Sequence, residues 1–101
     1  MAERPATQYR LTPAAQHDLD SIYDYTVREW GLQQAERYVA AIESTCVRLA
    51  DAPDSAHDCG YIRAGYRRAA VLQHMVYFRV EDYGIAVVRI LHQRMDEARH
   101  L

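Results

Sequence analysis

A single glycine, Gly31, stands between two stretches whose apolar residues recur at helical spacing, and this leaves the chain few ways to fold. In the first stretch Ala15, Leu19, Ile22, Thr26 and Trp30 follow at three- and four-residue steps, and in the second Ala35, Tyr38, Val39, Ile42, Cys46 and Leu49 do the same. Thr12-Pro13 opens the first helix, with Thr as cap and Pro in the first turn, where its missing N–H is not needed. Ala52-Pro53 closes the second, since the residue before a proline disfavours the helical conformation. The predicted spans are roughly 13–30 and the stretch from Gly31 to Ala52. A link this short makes an antiparallel hairpin whose arms are about 27 Å long at 1.5 Å per residue. Such a hairpin cannot bury its apolar stripe alone.

The cover must come from the flanking segments. Gln8–Leu11 alternates apolar and polar residues as a strand does, and 53–60 (PDSAHDCG) is composed of turn formers. Beyond it Tyr61-Ile62-Arg63 and Tyr66-Arg67-Arg68 flank Ala64-Gly65, followed by strands Val71 to Val80 and Ile85 to Leu91. Glu81-Asp82-Tyr83-Gly84 fits a type I turn with Gly84 in the left-handed position, a three-residue hairpin loop with a bulge that sets Glu81 opposite Ile85. Counting back pairs Val80 with Ala86, Phe78 with Val88, Val76 with Ile90 and His74 with His92 on one face, which the helices should cover. The other face receives Arg79 with Val87, Tyr77 with Arg89 and Met75 with Leu91. The expected class is therefore α+β: an N-terminal strand, an antiparallel helix hairpin, and an antiparallel sheet on which it packs. Met75, Leu91, Ile85 and Val87 would then form an apolar patch on the open face, a partner surface unless the tail or a second copy covers it.

At 101 residues the chain suits one domain, 1–101, with only residues 1–7 expected to be loose. The start MAERPATQ lacks the apolar core of a secretory signal, and no apolar run approaches the roughly 18 residues of a membrane span, so a cytoplasmic place is expected. Cys46 on a helical face and Cys59 in a turn-rich loop are expected as reduced thiols. The net charge of −2 conceals an asymmetry: residues 1–58 hold five Arg against ten Asp/Glu, and residues 59–101 seven against four, so −5 and +3 give −2. All twelve basic residues are Arg. The excess is too small and scattered for a strong polyanion binder, and neither membrane nor sequence-specific nucleic-acid binding is expected.

With these elements in order, YRLTPAAQHDLDSIYDY, WGLQQAERYVAAI, LADAP, IRAGYRR, HMVYFRV and VRILHQRMD resemble the ParE branch of the RelE/ParE toxin superfamily over nearly the whole chain. The most specific pieces are Gly65 to Arg67, the H-x-V-x-F of His74 to Phe78, and Arg89 to Asp96. The resemblance implies a helix hairpin on an antiparallel sheet. It also implies a toxin that inhibits DNA gyrase when free, a ParD-type antitoxin whose C-terminal segment wraps along it, and no cofactor. Residues expected to meet gyrase or antitoxin are Arg63, Tyr66, Arg67, Arg68, Met75, Tyr77, Arg79, Arg89, Leu91 and Arg94.

The rival in the same superfamily is a RelE-like ribonuclease, and a third reading is a non-toxic partner in a complex that represses its own operon. Cutting RNA needs a base, a cation for the phosphate and an acid for the leaving oxygen. His92 would be the acid, with Arg89 and Arg79 the cations. The derived register opposes this by sending His92 to the face opposite Arg89, and no Tyr follows Tyr83. His74 and His92 fit better as a cross-strand pair at the edge of the core. Arg94 and Asp96 are near enough to pair. No metal is expected: His17, Asp20 and Asp24 share helical spacing and His57-Asp58-Cys59 a loop, but neither is a closed ligand set, and Asp24 suits an i, i+4 pair with Arg28.

Overall fold

The computed structural model describes residues 8–101. Strand β1 (Gln8–Leu11) leads into α1 (Pro13–Trp30) and α2 (Leu32–Asp51), and after a 3-10 turn come β2 (His57–Asp58), β3 (Tyr66–Val71), β4 (His74–Glu81), β5 (Gly84–His92) and a four-residue helix α3 (Glu97–His100). The strands form one five-stranded sheet in the order β1-β5-β4-β3-β2, with β1 parallel to β5 and every other neighbour antiparallel. The class is α+β as expected, and the N-terminal strand makes the sheet mixed. The expectation that residues 1–7 are loose lies outside the described residues. No helix among the described residues is long and apolar enough to cross a membrane.

Both helix boundaries follow the local chemistry. Thr12, extended at φ −66°, ψ 162°, accepts from the Ala15 N–H at 3.2 Å, and Pro13 takes the first helical position. Gly31, at φ 90°, ends α1 and starts α2 in a conformation that side chains rarely adopt. The apolar stripes of both helices meet one face of the sheet, where Ile22, Ile42, Cys46, Leu49, Val76, Phe78, Ile85, Val87 and Ile90 form the main core. Buried Thr26 and Thr45 hydrogen-bond back to the carbonyls of Ile22 and Ala41, so neither hydroxyl is orphaned. Trp30 departs from expectation: the last residue of α1 is 72% exposed.

The hairpins depart more. What looked like one strand from Val71 to Val80 is broken by a two-residue turn at Leu72-Gln73, with Leu72 at φ 55°. Residues 61–65 are turns and not a strand. The β4–β5 loop holds two residues, Asp82 and Tyr83, so Glu81 pairs with Gly84, Val80 with Ile85, Arg79 with Ala86 and Phe78 with Val87. A bulge between Tyr77 and Phe78 restores the predicted pairs beyond it: Tyr77–Arg89, Val76–Ile90, Met75–Leu91 and His74–His92. The extra residue is in β5, since 81 and 84 sum to 165 and 77 and 89 to 166. A one-residue shift exchanges faces. Ile85 and Val87 thus enter the helix-covered core, and Val88 joins Tyr77 and Leu91 on the other face.

That second face is not bare. Tyr77, Val88 and Leu91 form a small second core with buried Cys59, and Tyr66, Met75 and Leu101 pack against it. The predicted open patch is thus covered from this chain's own loop and tail. Cys46 and Cys59 are both buried free thiols.

β1 fits against β5 at Gly84, where a Cβ would lie 1.8 Å from the Gln8 carbonyl oxygen and φ is 144°. Gly84→Ala is expected to cost at least about 3 kcal/mol in denaturant unfolding. Gly31→Ala, with no atom within 4 Å of the added carbon, should cost about 1 kcal/mol. Equal costs at the two glycines would contradict the close passage of β1.

Candidate functional site

The polar residues singled out from the sequence separate into three clusters. The first is at the sheet's edge. β1 pairs only with Gly84 to Val87, so the remaining edge of β5 exposes backbone groups that need partners. The start of α1 supplies them. The Thr12 hydroxyl donates to the Val88 carbonyl at 3.0 Å, and the Asp18 carboxylate accepts from the Ile90 N–H at 2.9 Å. The same carboxylate holds Arg89 in a fork, from Nε at 2.8 Å and Nη2 at 2.9 Å, while Nη1 donates to the His100 carbonyl at 2.9 Å. The Asp18 bond, set against burial, pushes the guanidinium further up from its ordinary value. Arg89 is therefore a structural cation, and no fork of it is left for a phosphate.

The second cluster is on the helix-covered face. His74 and His92 pair across β4 and β5 with ring centroids 5.2 Å apart, nearly perpendicular. Tyr38 Oη accepts from the Gln73 N–H and shares a hydrogen bond of 2.6 Å with His74 Nδ1, while His92 Nδ1 accepts from the Arg94 N–H at 3.1 Å. With a backbone donor on its Nδ1, a neutral His92 ring carries its proton on Nε2. Burial, and then the repulsion a second positive imidazole at His92 would bring, hold the His74 imidazole down at about 4 from 6.5, with Asp18 opposing. The cross-strand reading of the pair holds, and His92 stands on the face opposite the Tyr77–Arg68 cluster. Beside the pair, a cleft of about 660 Å³ runs between α1 and the β3–β4 turn, and Tyr25, Trp30 and Leu72 on its walls are 56, 72 and 57% exposed.

The third cluster is on the second face. Cross-strand register sets Arg68 of β3 beside Tyr77 of β4. Above them Glu97 of α3 accepts from Tyr61 Oη at 2.8 Å, Arg68 Nη1 at 2.6 Å and Tyr77 Oη at 2.6 Å. Burial alone would raise the Glu97 carboxyl, but the bonds from Tyr77, Tyr61 and Arg68 outweigh it and hold it below the usual carboxylate range. Burial and then the Glu97 bond push the Tyr77 hydroxyl well up. α3 is set by Asp96, which caps it by accepting from the Ala98 N–H at 3.1 Å and makes no pair with Arg94.

The remaining candidates are scattered. Arg79 pairs with Glu81 at 2.6 Å, and Arg67 reaches the Ala56 carbonyl at 3.3 Å and the exposed Asp54 at 3.7 Å. The side chains of Arg63 and Arg94 have no partner among the described residues, and neither do Asp24 and Arg28 pair. No group of three or more His, Cys, Asp or Glu among the described residues could hold a metal. Sequence reasoning missed Asp18, Tyr61, Cys59 and Glu97. Asp18 carried a signal, being three residues after Ala15 and four before Ile22, on the flank of the buried stripe. Glu97 carried none.

Two outcomes follow. Asp18→Ala strands Arg89 and the Ile90 N–H together and should cost about 3 kcal/mol in chemical denaturation, and Asp18→Asn, which keeps an acceptor, markedly less. His74 protonates near 6.5 when unfolded and only near 4 when folded, so the unfolded chain binds more protons in that window. Stability is therefore lost as pH falls from 6.5 toward 4, on the order of 2 kcal/mol after screening. Melting curves of His74→Phe should show a flatter acid limb over that range; an unchanged limb would contradict the depressed imidazole.

Comparison with known proteins matches residues 9–97 to the family described as ParE toxin of type II toxin-antitoxin system, parDE. Toxin ParE1 of Mycobacterium tuberculosis is 42% identical over 97 residues, covering 95% of this chain and 99% of that protein. Toxin ParE1 of Caulobacter vibrioides is 38% identical, covering 92% and 96%, and Toxin ParE of Escherichia coli 39% identical, covering 89% and 88%. Among solved structures, a chain of a chromosomal ParDE TA system from P. aeruginosa shares the fold, with a TM-score of 0.74 at 24% identity over 88% of this chain and 98% of that one. A match across nearly every described residue, with relatives of about the same length, makes this chain a member of the ParE toxin family of type II toxin-antitoxin systems.

Proposed function

We propose that this protein is a cytoplasmic toxin that inhibits DNA gyrase by direct binding, and that a ParD-type antitoxin holds it inactive by laying its C-terminal segment along the toxin. The observation that carries the binding reading is the cleft beside α1. Tyr25, Trp30 and Leu72 are large, apolar and more than half exposed around one depression, which is the signature of a surface that a partner covers. The P. aeruginosa fold comes from a ParDE system, which favours a ParD-type partner for this chain as well. Arg63 and Arg94, expected from the sequence to meet a partner, have side chains with no partner among the described residues, so they suit a rim that steers an acidic partner. Tyr77 and Leu91 are buried by this chain itself and serve such a surface only from beneath.

The ribonuclease alternative draws on Arg89, Arg79 and His92. Both terminal nitrogens and Nε of Arg89 are bonded, Arg79 is paired with Glu81, and the two histidines occupy the helix-covered face. Their arrangement favours binding over phosphodiester cleavage.

Purified protein is expected to block plasmid supercoiling by gyrase, or to trap cleaved plasmid, while leaving ribosome-bound message intact. No effect at stoichiometric excess would sink the gyrase target without touching the antitoxin pairing. Message cleavage that His92→Ala abolishes would establish the ribonuclease instead. Trp30→Ala should weaken antitoxin binding by about tenfold with an unchanged melting temperature, since the side chain is 72% exposed. Charge reversal at Arg63 should weaken toxicity or antitoxin binding more than reversal at Arg28.

A further inference from the structure

We propose that Glu97 is a stand-in ligand: α3 occupies, in cis, a carboxylate site built by Tyr61, Arg68 and Tyr77, and on its release this site takes a glutamate side chain from an acidic helical segment of a partner polypeptide. The inference goes beyond the target and antitoxin named above and holds whichever partner supplies the segment.

Three donors converge on one carboxylate, two of them at 2.6 Å. The donors owe little to the tail that they hold. Arg68 and Tyr77 face each other through the β3–β4 register, and Tyr77 is fixed by its packing with Cys59, Val88 and Leu91. α3, by contrast, is a single turn with no buried residue. A helix this short has no stability of its own. Its attachments are the Glu97 bonds, the His100 carbonyl on Arg89, and the Leu101 side chain on the second core. Arg68 and Glu97 are also partly solvent-exposed, so the ion pair that closes the tail is screened and weak. Two of the three donors are thus held by the sheet, Tyr61 reaches in from an exposed turn, and the occupant is loose.

The occupant also defines its competitor. Glu97 fills the donor site and Leu101 the apolar floor, four residues apart and hence on one helical face. A partner helix with Glu and Leu at that spacing reproduces both contacts. Residues 59–101 carry seven Arg against four acids, which attracts such an acidic segment, and Arg63, unpartnered among the described residues, lines the same depression as Tyr61 and Glu97. The observed ligand is a carboxylate, so the site's shape and hydrogen bonding are those of a carboxylate receptor.

The test uses the full chain, its Glu97→Ala variant, and two labelled acetylated peptides, one with Glu and Leu four apart and the other with Gln for Glu. Fluorescence anisotropy should show Glu97→Ala binding the Glu peptide at least about tenfold more tightly than the intact chain, with the Gln peptide at least about tenfold weaker. Adding Arg68→Gln to Glu97→Ala should return binding to that of the intact chain. Circular dichroism checks each fold, and Glu97→Gln serves should the alanine chain unfold. With Glu97 in place, Tyr61→Phe removes one donor from an exposed position and should speed hydrogen exchange at the Arg99 and Leu101 amides several-fold relative to the unaltered chain. Equal peptide affinity for the intact and variant chains would overturn the masking, and equal affinity for Glu and Gln peptides would overturn carboxylate recognition. Binding of a short RNA or inorganic phosphate with none of the peptide would overturn the acidic polypeptide as occupant.

Discussion

The carboxylate of Asp18 is the joint on which the two layers of this molecule meet. Where β1 ends after four residues, the edge of β5 would leave an N–H and a half-buried cation without partners, and one side chain from α1 accepts from both. Together with the Thr12 hydroxyl on Val88, it replaces the strand that the sheet lacks on that side. The orientation of the hairpin on the sheet therefore depends on polar groups at the edge as well as on the apolar stripe, which by itself would tolerate sliding. Arg89 passes this constraint on, because its third nitrogen holds the His100 carbonyl and with it the end of α3.

A second consequence is that the sheet has two dry faces of unequal size. The larger one lies under the helices around Phe78, and the smaller lies under a loop and a turn around Tyr77. Helices cover the first with continuous apolar stripes, a cover that is costly to lift. The second is closed by Cys59, Leu101 and a carboxylate with three donors, a cover made largely of polar contacts in partial contact with water. Opening is thus far easier on one side of the sheet than on the other.

Helices were legible in the sequence because their signals are local: a cap and proline at Thr12-Pro13, one glycine at 31, and apolar spacing between. The antiparallel pairs from His74 to Tyr77 were legible because the three-residue loop expected and the two-residue loop with a later bulge observed carry the same surplus residue, so the count agrees beyond the bulge. From Phe78 to Glu81 the register failed, since a two-residue turn with a remote bulge and a three-residue turn with a local one place the same residue surplus at different points of the hairpin. Only the packing of Ile85 and Val87 under the helices distinguishes them. The charged sites were least legible. Asp18 and Arg89 are 71 residues apart and Tyr61 and Glu97 36 apart, and no spacing rule links residues that the fold alone brings together.

The bulge at Val88 gives the β4–β5 hairpin two phases. On the turn side, even and odd positions of β5 have one assignment of inside and outside, and on the far side the opposite one. Arg89 stands one residue past the change of phase. Without the extra residue Arg89 would stand opposite Val76 and send its guanidinium into the helix-covered core, and Ile90 would be turned to the second face. One surplus residue thus sets the face of every position from Arg89 to His92, and the sheet can keep Ile90 under the helices and Arg89 on the other side in a strand whose sequence, Gly84 to His92, alternates cleanly on neither scheme.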